Sequence, residues 1–293
     1  MDTHDWLRLS MAFGAGNPNI TEFIDLDEPD ESIRRMLSEP DLQSNKYIRR
    51  FKALSNSQLD NVTSFCEDNN VNIVTLDSEQ YPKGMLSLDA PPLVLFVVGD
   101  ISVLQKKVSA AVVGARLCSE YSLKVASLFT RALSENGVNI VSGHAVGIDS
   151  AAHATAIDAG GTTAAFLGCG LFCDYPKGSI ELRKQIAEHG AVISEFLPRS
   201  LPIKDNFKIR NRLIAAVSHC TLVIEAKKKS GSLNTAYHAN DLGKDVFVIP
   251  PADLFDERYS GQKLLLEQGA ELALSPEALF LSLKDADLFV NYC

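Results

Sequence analysis

No stretch of this chain approaches the roughly 18 uninterrupted apolar residues that a membrane span needs. Its first residues, MDTHDWLRLS, carry acidic side chains where a secretory leader would carry positive charge. A cytoplasmic protein without membrane insertion is therefore expected. Positive charge is also scarce: 28 Lys and Arg stand against 37 Asp and Glu, a net charge of -9. That balance excludes a protein that coats its whole surface in nucleic acid, because its long-range potential would repel phosphate. The deficit is uneven, however. Residues 1–70 hold 13 acidic and 7 basic side chains, a difference of -6, so only -3 is left for the larger remainder. A local basic pocket is compatible with the acidic total. Paired cysteines are missing too: Cys66, Cys118, Cys169, Cys173, Cys220 and Cys293 form no CxxC cluster, so neither a disulfide framework nor a zinc site is signalled. Reduced thiols are expected, and nothing in the sequence calls for a metal or a cofactor.

What is present is an orderly alternation of apolar segments. Residues 1–66 read as a small helical domain, with Trp6, Leu7, Leu9 and Met11, then Ile33, Met36 and Leu37, then Tyr47, Ile48, Phe51 and Leu54 at helical spacing. The acidic run FIDLDEPDES reads as a solvated connection between those helices. From Val71 the character changes, and residues 67–286 read as a second domain. VNIVTL and LVLFVVG are short apolar runs separated by Pro82, Pro91 and Pro92, as strands joined by rigid turns would be. SAAVVG, VNIVSG, TTAAFLG, AVISEF, TLVIEA and DVFVIP follow as almost wholly apolar strands with helical segments between them, including Glu120–Asn136 and Ser232–Leu242. Such runs indicate a mostly parallel sheet covered on both faces, a doubly wound α/β fold. Gly137 and Gly160 stand where two helices must stop. SPEALFLSL reads as a terminal helix capped by Ser275, with Pro276 in its first turn.

Ligands of open α/β sheets bind beyond the carboxyl ends of the strands, so the residues just after each apolar run carry the functional reading. A dinucleotide fingerprint needs G-x-G-x-x-G after the first strand; the loop here offers Gly114, Arg116 and Cys118 instead, which argues against a nicotinamide site. Arg116 reads as an anion clamp, with a surface ion pair as the alternative. In SGHAVGIDSAAH, Ser142, Gly143 and Gly147 lead into a helix whose free N–H groups favour phosphate. Asp149 reads as that helix's N-cap and His153 as a packed histidine, with acid–base roles as the alternatives. Cys169 and Cys173 lack further ligands and read as small packed residues. Ser230, Gly231 and Ser232 open another helix with hydroxyls and backbone donors.

The densest signal is NFKIRNRLIAAVS. Lys208, Arg210 and Arg212 follow Phe207 at even spacing, so an extended lead-in would project all three cations to one side of a stacking ring, as single-stranded nucleic acid requires. Leu264, Leu265 and Leu266 are candidates for a dimer surface or, alternatively, a buried helix face.

Read in order, VVGAR, SGHAVGIDSAAH, GCGLFCDYP, ISEF, NFKIRNRLIAAVS, VIEAKKKSGSLNTA and VFVIPP resemble the DNA-processing protein A family, also called Smf, over roughly Val108–Ala270. The resemblance implies an extended Rossmann-like domain, often preceded by a small helical domain of the SAM or helix-hairpin-helix kind. It implies a homodimer that binds single-stranded DNA, protects it as it enters, and loads a RecA-type recombinase in natural transformation. It also implies that Arg116, Ser142, Gly143 and Gly147, together with Phe207, Arg210, Asn211 and Arg212, occupy the family's binding motifs, and that Lys204 lies close to a DNA-contacting lysine. Two departures stand out: Val146 replaces an arginine before the GID triplet, and Lys208 replaces the proline after Phe207. The winged-helix extension common in the family is expected to be absent.

A non-enzymatic DNA-binding mediator is thus expected. The alternative is a nucleotide-binding or nucleotide-hydrolysing enzyme of the lysine-decarboxylase-like LOG type, whose PGGxGT phosphate loop corresponds to SGSLNTA here. No acidic residue follows that loop, and Glu195 and Glu225 are the remaining candidates for an acid or base. A sensor of free nucleotide in the same pocket is a third reading.

Overall fold

The fold was analysed in a computed structural model, which describes residues 1–290. Helices α1 (Thr3–Phe13), α2 (Ile20–Phe23), α3 (Pro29–Ser38), α4 (Lys46–Ala53) and α5 (Asn56–Asp68) form the first segment. Their starts follow from capping chemistry: Asp2 and Asn45 accept backbone N–H bonds, and Ser55 with Gln58 makes a reciprocal capping box. The expected solvated connection is shorter than its acidic run. Pro29 opens α3, with Asp30 and Glu31 in its first turn, because a fixed φ and negative charge both suit a helix N-terminus. Likewise α5 runs to Asp68, past the expected boundary at residue 66.

The rest is an alternation of strands and helices: β1 (Asn72–Thr75), β2 (Val94–Gly99), α6 (Val103–Lys106), β3 (Ser109–Val113), α7 (Glu120–Glu135), β4 (Asn139–Ser142), α8 (Ile148–Asp158), β5 (Thr163–Leu167), α9 (Ile180–His189), β6 (Gly190–Ser194), α10 (Lys204–Val217), β7 (Cys220–Val223), α11 (Gly231–Asp241), β8 (Asp245–Val248), α12 (Ser260–Glu267), β9 (Glu271–Leu272) and α13 (Pro276–Val290). The nine strands among the described residues join one sheet in the order β1-β2-β6-β5-β4-β3-β7-β8-β9. Strands β3 to β9 run parallel, while β2 pairs antiparallel with both β1 and β6. Gly137 and Gly160 adopt φ +82 and +69, the left-handed turn that ends α7 and α8. Ser275 accepts the Ala278 N–H at the start of α13.

The period-2 alternation of the strands sorts the core into two faces. Ala111, Val113, Val141, Phe166 and Ile193 point to the side of α10, α11 and α12. Ala110, Val112 and Ile140 point to α7, α8 and α13 on the other side. Further along that second face, Phe96, Ala165 and Leu167 pack into one cluster with Trp6, Leu7, Ile48 and Phe51. The helical segment therefore has no core isolated from the sheet. Leu265 is buried, and Leu264 and Leu266 pack partly against the same core, so these three leucines follow the buried-face alternative.

Cys66, Cys169 and Cys220 are buried and Cys118 and Cys173 half-buried, all as free thiols, while Cys293 lies outside the described residues. No helix among the described residues is long and apolar enough to cross a membrane.

Candidate functional site

Strand β3 has β4 on one side and β7 on the other, and its chain leaves through α7 toward β4. The order therefore reverses between β3 and β7, which opens a crevice beyond their carboxyl ends. This crevice measures about 440 Å³ and is walled by the Gly114–Leu117 loop, the start of α11, and Phe207, Arg210 and Asn211 of α10.

Glycines shape it by close approach. A side chain at Gly147 would place its Cβ 2.4 Å from the Ala115 carbonyl oxygen, and φ there is +83. At Gly143 a Cβ would sit 2.6 Å from the Arg210 guanidinium, and at Gly168 it would sit 2.6 Å from the Phe207 ring. Gly143 and Gly168 thus make room for Arg210 and Phe207, and Gly147 for the backbone of the Gly114–Leu117 loop. Gly147→Ala is expected to cost at least about 2 kcal/mol, since strained φ and a backbone clash coincide. Urea denaturation measures that loss, and unchanged stability would contradict the packing of this turn.

The arginines do not share a side. Segment 204–217 is helical from its first residue, not extended at its start. At 100° per residue, Arg210 and Arg212 diverge by about 160° around the axis, whereas an extended chain would align them. Arg210 is 4% exposed and donates to the carbonyls of Gly143, at 2.5 Å, and Phe166, and through Nε to Asn211 Oδ1 at 3.0 Å. Burial pushes its pKa down to about 10, with Asp149 opposing, so it stays charged at neutral pH. Arg212 turns away from the crevice. Its Nη2 donates to both oxygens of Glu195 at 2.7 Å, and Glu195 also accepts the Gly16 N–H at 2.9 Å. Burial raises the Glu195 pKa, with Arg212 pulling against it.

Phe207 is half-buried. Its ring lies 5.2 Å from that of Tyr175, with the guanidinium carbons of Arg116 and Arg210 at 5.6 and 5.9 Å from its centroid. Arg116 is exposed and reaches the Tyr175 hydroxyl only at 3.5 Å, leaving it available to an anion. Lys204, also exposed, lines the groove outside Phe207. Asn211 donates to the Gly231 carbonyl and to Asn234, which ties α10 to the start of α11. Ser230, Gly231 and Ser232 line the crevice there, with the unpaired N–H groups of an 11-residue helix behind them.

Of the other expected residues, Asp149 and Glu225 border the crevice with their carboxylates already engaged, while Ser142 and His153 do not line it. Ser142 is fully buried and donates to the Val112 carbonyl at 2.6 Å, so it fastens the sheet. Asp149 is the second residue of α8, not its N-cap; Gly147 takes that place because the chain reverses there. The Asp149 carboxylate accepts the Gly143 and Ala145 N–H groups, and burial raises its pKa. His153 is buried against Thr163 at 2.7 Å, and burial keeps it neutral. Glu225 accepts the Ser119 N–H and hydroxyl ahead of α7, a capping role. Cys169 is buried and its thiol is pushed up to about 11. Among the described residues, no three His, Cys, Asp or Glu side chains are placed to hold a metal.

Sequence reasoning missed Tyr175 and two further contributors. Arg183 of α9 donates to the carbonyls of Leu171, Cys173 and Tyr175, and so holds Tyr175 against Phe207; nothing in the sequence links the two. His144 has φ +56, is buried, and lines a 120 Å³ recess on the inner side of Phe207, its pKa pushed down to about 4 by burial and the nearby Arg183 and Arg210. A left-handed histidine carries no sequence signal of its own.

A doubly wound α/β fold with an aromatic ring and cations at its switch point defines a ligand-binding protein of the Rossmann-like class. The profile of the family described as DNA recombination-mediator protein A matches residues 72–284, and the chain belongs to that family. It is 36% identical over 231 residues to DNA processing protein DprA of Bacillus subtilis (strain 168), covering 79% of this chain and 77% of that protein. Protein Smf of Escherichia coli (strain K12) is 33% identical over 288 residues, 97% of this chain and 76% of Smf. Among solved structures, DNA processing protein A of Streptococcus pneumoniae superposes with a TM-score of 0.83 at 29% identity, over 96% of this chain and 98% of that one. DNA processing protein A of Helicobacter pylori, described for its single-stranded DNA binding mode, superposes with a TM-score of 0.66 at 31% identity, over 73% and 96%.

Proposed function

We propose that this chain binds single-stranded DNA at the switch-point crevice and catalyses no covalent step there. The observation that carries this reading is the Phe207 ring, half-buried between Tyr175, Arg116 and Arg210 at the mouth of the crevice. An aromatic face beside positive charge takes a base and its phosphate together, with little dependence on sequence. The N–H groups at the start of α11 supply further phosphate donors. Arg116, Lys204, Phe207 and Ser230–Ser232 are the contacting residues in this reading. Arg210 and Asn211 hold the wall, Gly143 and Gly147 shape it, and Ser142 and Arg212 support it from behind.

Membership of the family and the described strand binding of the H. pylori relative support a wider role. In that role the protein protects incoming single strands in the cytoplasm and loads a RecA-type recombinase during natural transformation. It works as a homodimer, since two pockets on one strand raise the effective concentration of the second binding event. The hydrolase alternative has weaker support, because Glu195 is engaged by Arg212 and Gly16 and Glu225 by Ser119.

Fluorescence-anisotropy titration of matched single-stranded and duplex oligonucleotides over a salt series tests the reading. A marked single-strand preference, with log affinity falling by about 0.7 per phosphate contact per log unit of salt, is the expected result. Equal affinity for both forms, or release of free base from nucleoside monophosphates, would favour the other readings.

A further inference from the structure

Outside Phe207 the surface opens into a groove of about 640 Å³ that runs along α11 to Tyr237. Its charge sets it apart in a protein of net charge -9. Arg116, Lys204, Lys208, Lys228 and Lys229 line it, and no carboxylate does. The crevice beneath, by contrast, includes Asp149 and Glu225, and the recess toward the end of α11, which shares Tyr237 with the groove, includes Asp245 and Glu271. Lys208 reaches Asp205 at 3.4 Å, but both side chains are exposed, so that pair holds little of its charge back from a ligand.

The far end of the groove is aromatic. Tyr237 is 38% exposed, and its hydroxyl has no hydrogen-bond partner among the described residues. Ser230, Asn234 and Tyr237 follow at spacings of four and three, so one face of the helix presents them to the groove in turn. From Gly231 to Tyr237 the helix rises about 9 Å, room for two or more nucleotides stacked at about 3.4 Å. The near end already holds the Phe207 and Tyr175 rings. A cationic floor between two aromatic ends suits an extended polyanion with flat, stackable groups, and neither a compact anion nor an apolar helix needs both features.

We propose that this groove carries the single strand outward from the crevice along α11, with Tyr237 as a second stacking platform and Lys228 as a phosphate contact. The proposal rests on the single-strand reading of the crevice. It adds a path of defined direction and a residue that the family motifs in this chain do not include.

The test compares tetranucleotide and octanucleotide thymidine strands by anisotropy, using full-length wild type, Tyr237→Ala, Tyr237→Phe and Lys228→Gln. Oligomeric state is followed by light scattering at the same concentrations. Tyr237→Ala is expected to weaken the octanucleotide about tenfold while leaving the tetranucleotide unchanged, and Tyr237→Phe is expected to keep wild-type affinity. Lys228→Gln is expected to lower the salt slope of the octanucleotide by about 0.7 and to leave that of the tetranucleotide alone. Alanine is the better helix former, so loss of fold does not complicate the first variant. An octanucleotide affinity untouched by Tyr237→Ala would overturn the proposal, as would an equal loss on both strands or a loss that accompanies dissociation of the oligomer. Failure of wild type to bind either strand would overturn the single-strand reading itself, a different outcome from tight binding that ignores Tyr237.

Discussion

Replacing Phe207 with alanine is expected to weaken single-strand binding by roughly 5- to 150-fold, the range that corresponds to about 1–3 kcal/mol for one base stacked on an aromatic ring. The slope of affinity against salt should stay as in wild type, because no phosphate partner is removed. Arg116→Ala is expected to do the reverse in kind, lowering affinity together with the salt slope, by about 0.7 if the guanidinium neutralises one phosphate. The two side chains lie against each other, with the Arg116 guanidinium carbon 5.6 Å from the Phe207 centroid, so their effects should not add. A double variant is expected to lose less than the sum of the singles. Anisotropy titrations of the four proteins in a salt series decide the matter. Strand affinity indifferent to Phe207→Ala would remove the stacking platform from the proposal, and a salt slope unchanged in Arg116→Ala would remove the phosphate clamp.

Arg212→Ala is expected to act on stability rather than on the ligand. It leaves the Glu195 carboxylate buried with only the Gly16 N–H against it, and loss of one partner from a buried ion pair costs about 3–5 kcal/mol. The pH dependence has a definite sign. Glu195 already titrates above its ordinary 4.5 because burial outweighs the pull of Arg212. Folding thus favours its protonated form, and the stability this provides is fully present below the unfolded value and lost as pH rises through the raised folded value. Without Arg212 the folded value rises further, so the deficit should be largest near neutrality and shrink on acidification. Glu195→Gln in the Arg212→Ala background should recover part of the loss at pH 7. Urea denaturation at neutral and mildly acidic pH measures both effects. A deficit of equal size at both pH values would mean that Glu195 is not the group left uncompensated. Strand binding by the folded fraction should keep the wild-type salt slope, because Arg212 faces away from the crevice.

These two arginines mark how far the sequence could be read. Both belong to one motif, at positions 210 and 212, and the motif identifies the chain's family and the strand end where binding is expected. It does not say which guanidinium meets a ligand. That depends on whether the backbone at Phe207 is extended or helical, and the replacement of the usual proline by Lys208 leaves the donor N–H that a continuous helix can use. The glycine-rich turn shows a similar division. Gly143 and Gly147 were legible as places of close approach, but the protein groups that crowd them, the Arg210 guanidinium and the Ala115 carbonyl, were not.

By itself the sequence determined the sheet and its helices, because fully buried parallel strands must be apolar throughout and their crossovers must carry one apolar stripe. It also determined where ligands are expected, since strand ends and helix N-termini follow from local order along the chain. Tertiary structure alone decided which side chains share a wall. Tyr175 meets Phe207 because Arg183, on a different element, anchors its loop. Glu195 meets Gly16 across 179 positions because the helical segment packs on the sheet. The groove toward Tyr237 is cationic because α10 and the Lys227–Lys229 loop converge there. Periodicity records how each residue faces its own element, but contacts between elements depend on how those elements pack, which no local pattern encodes.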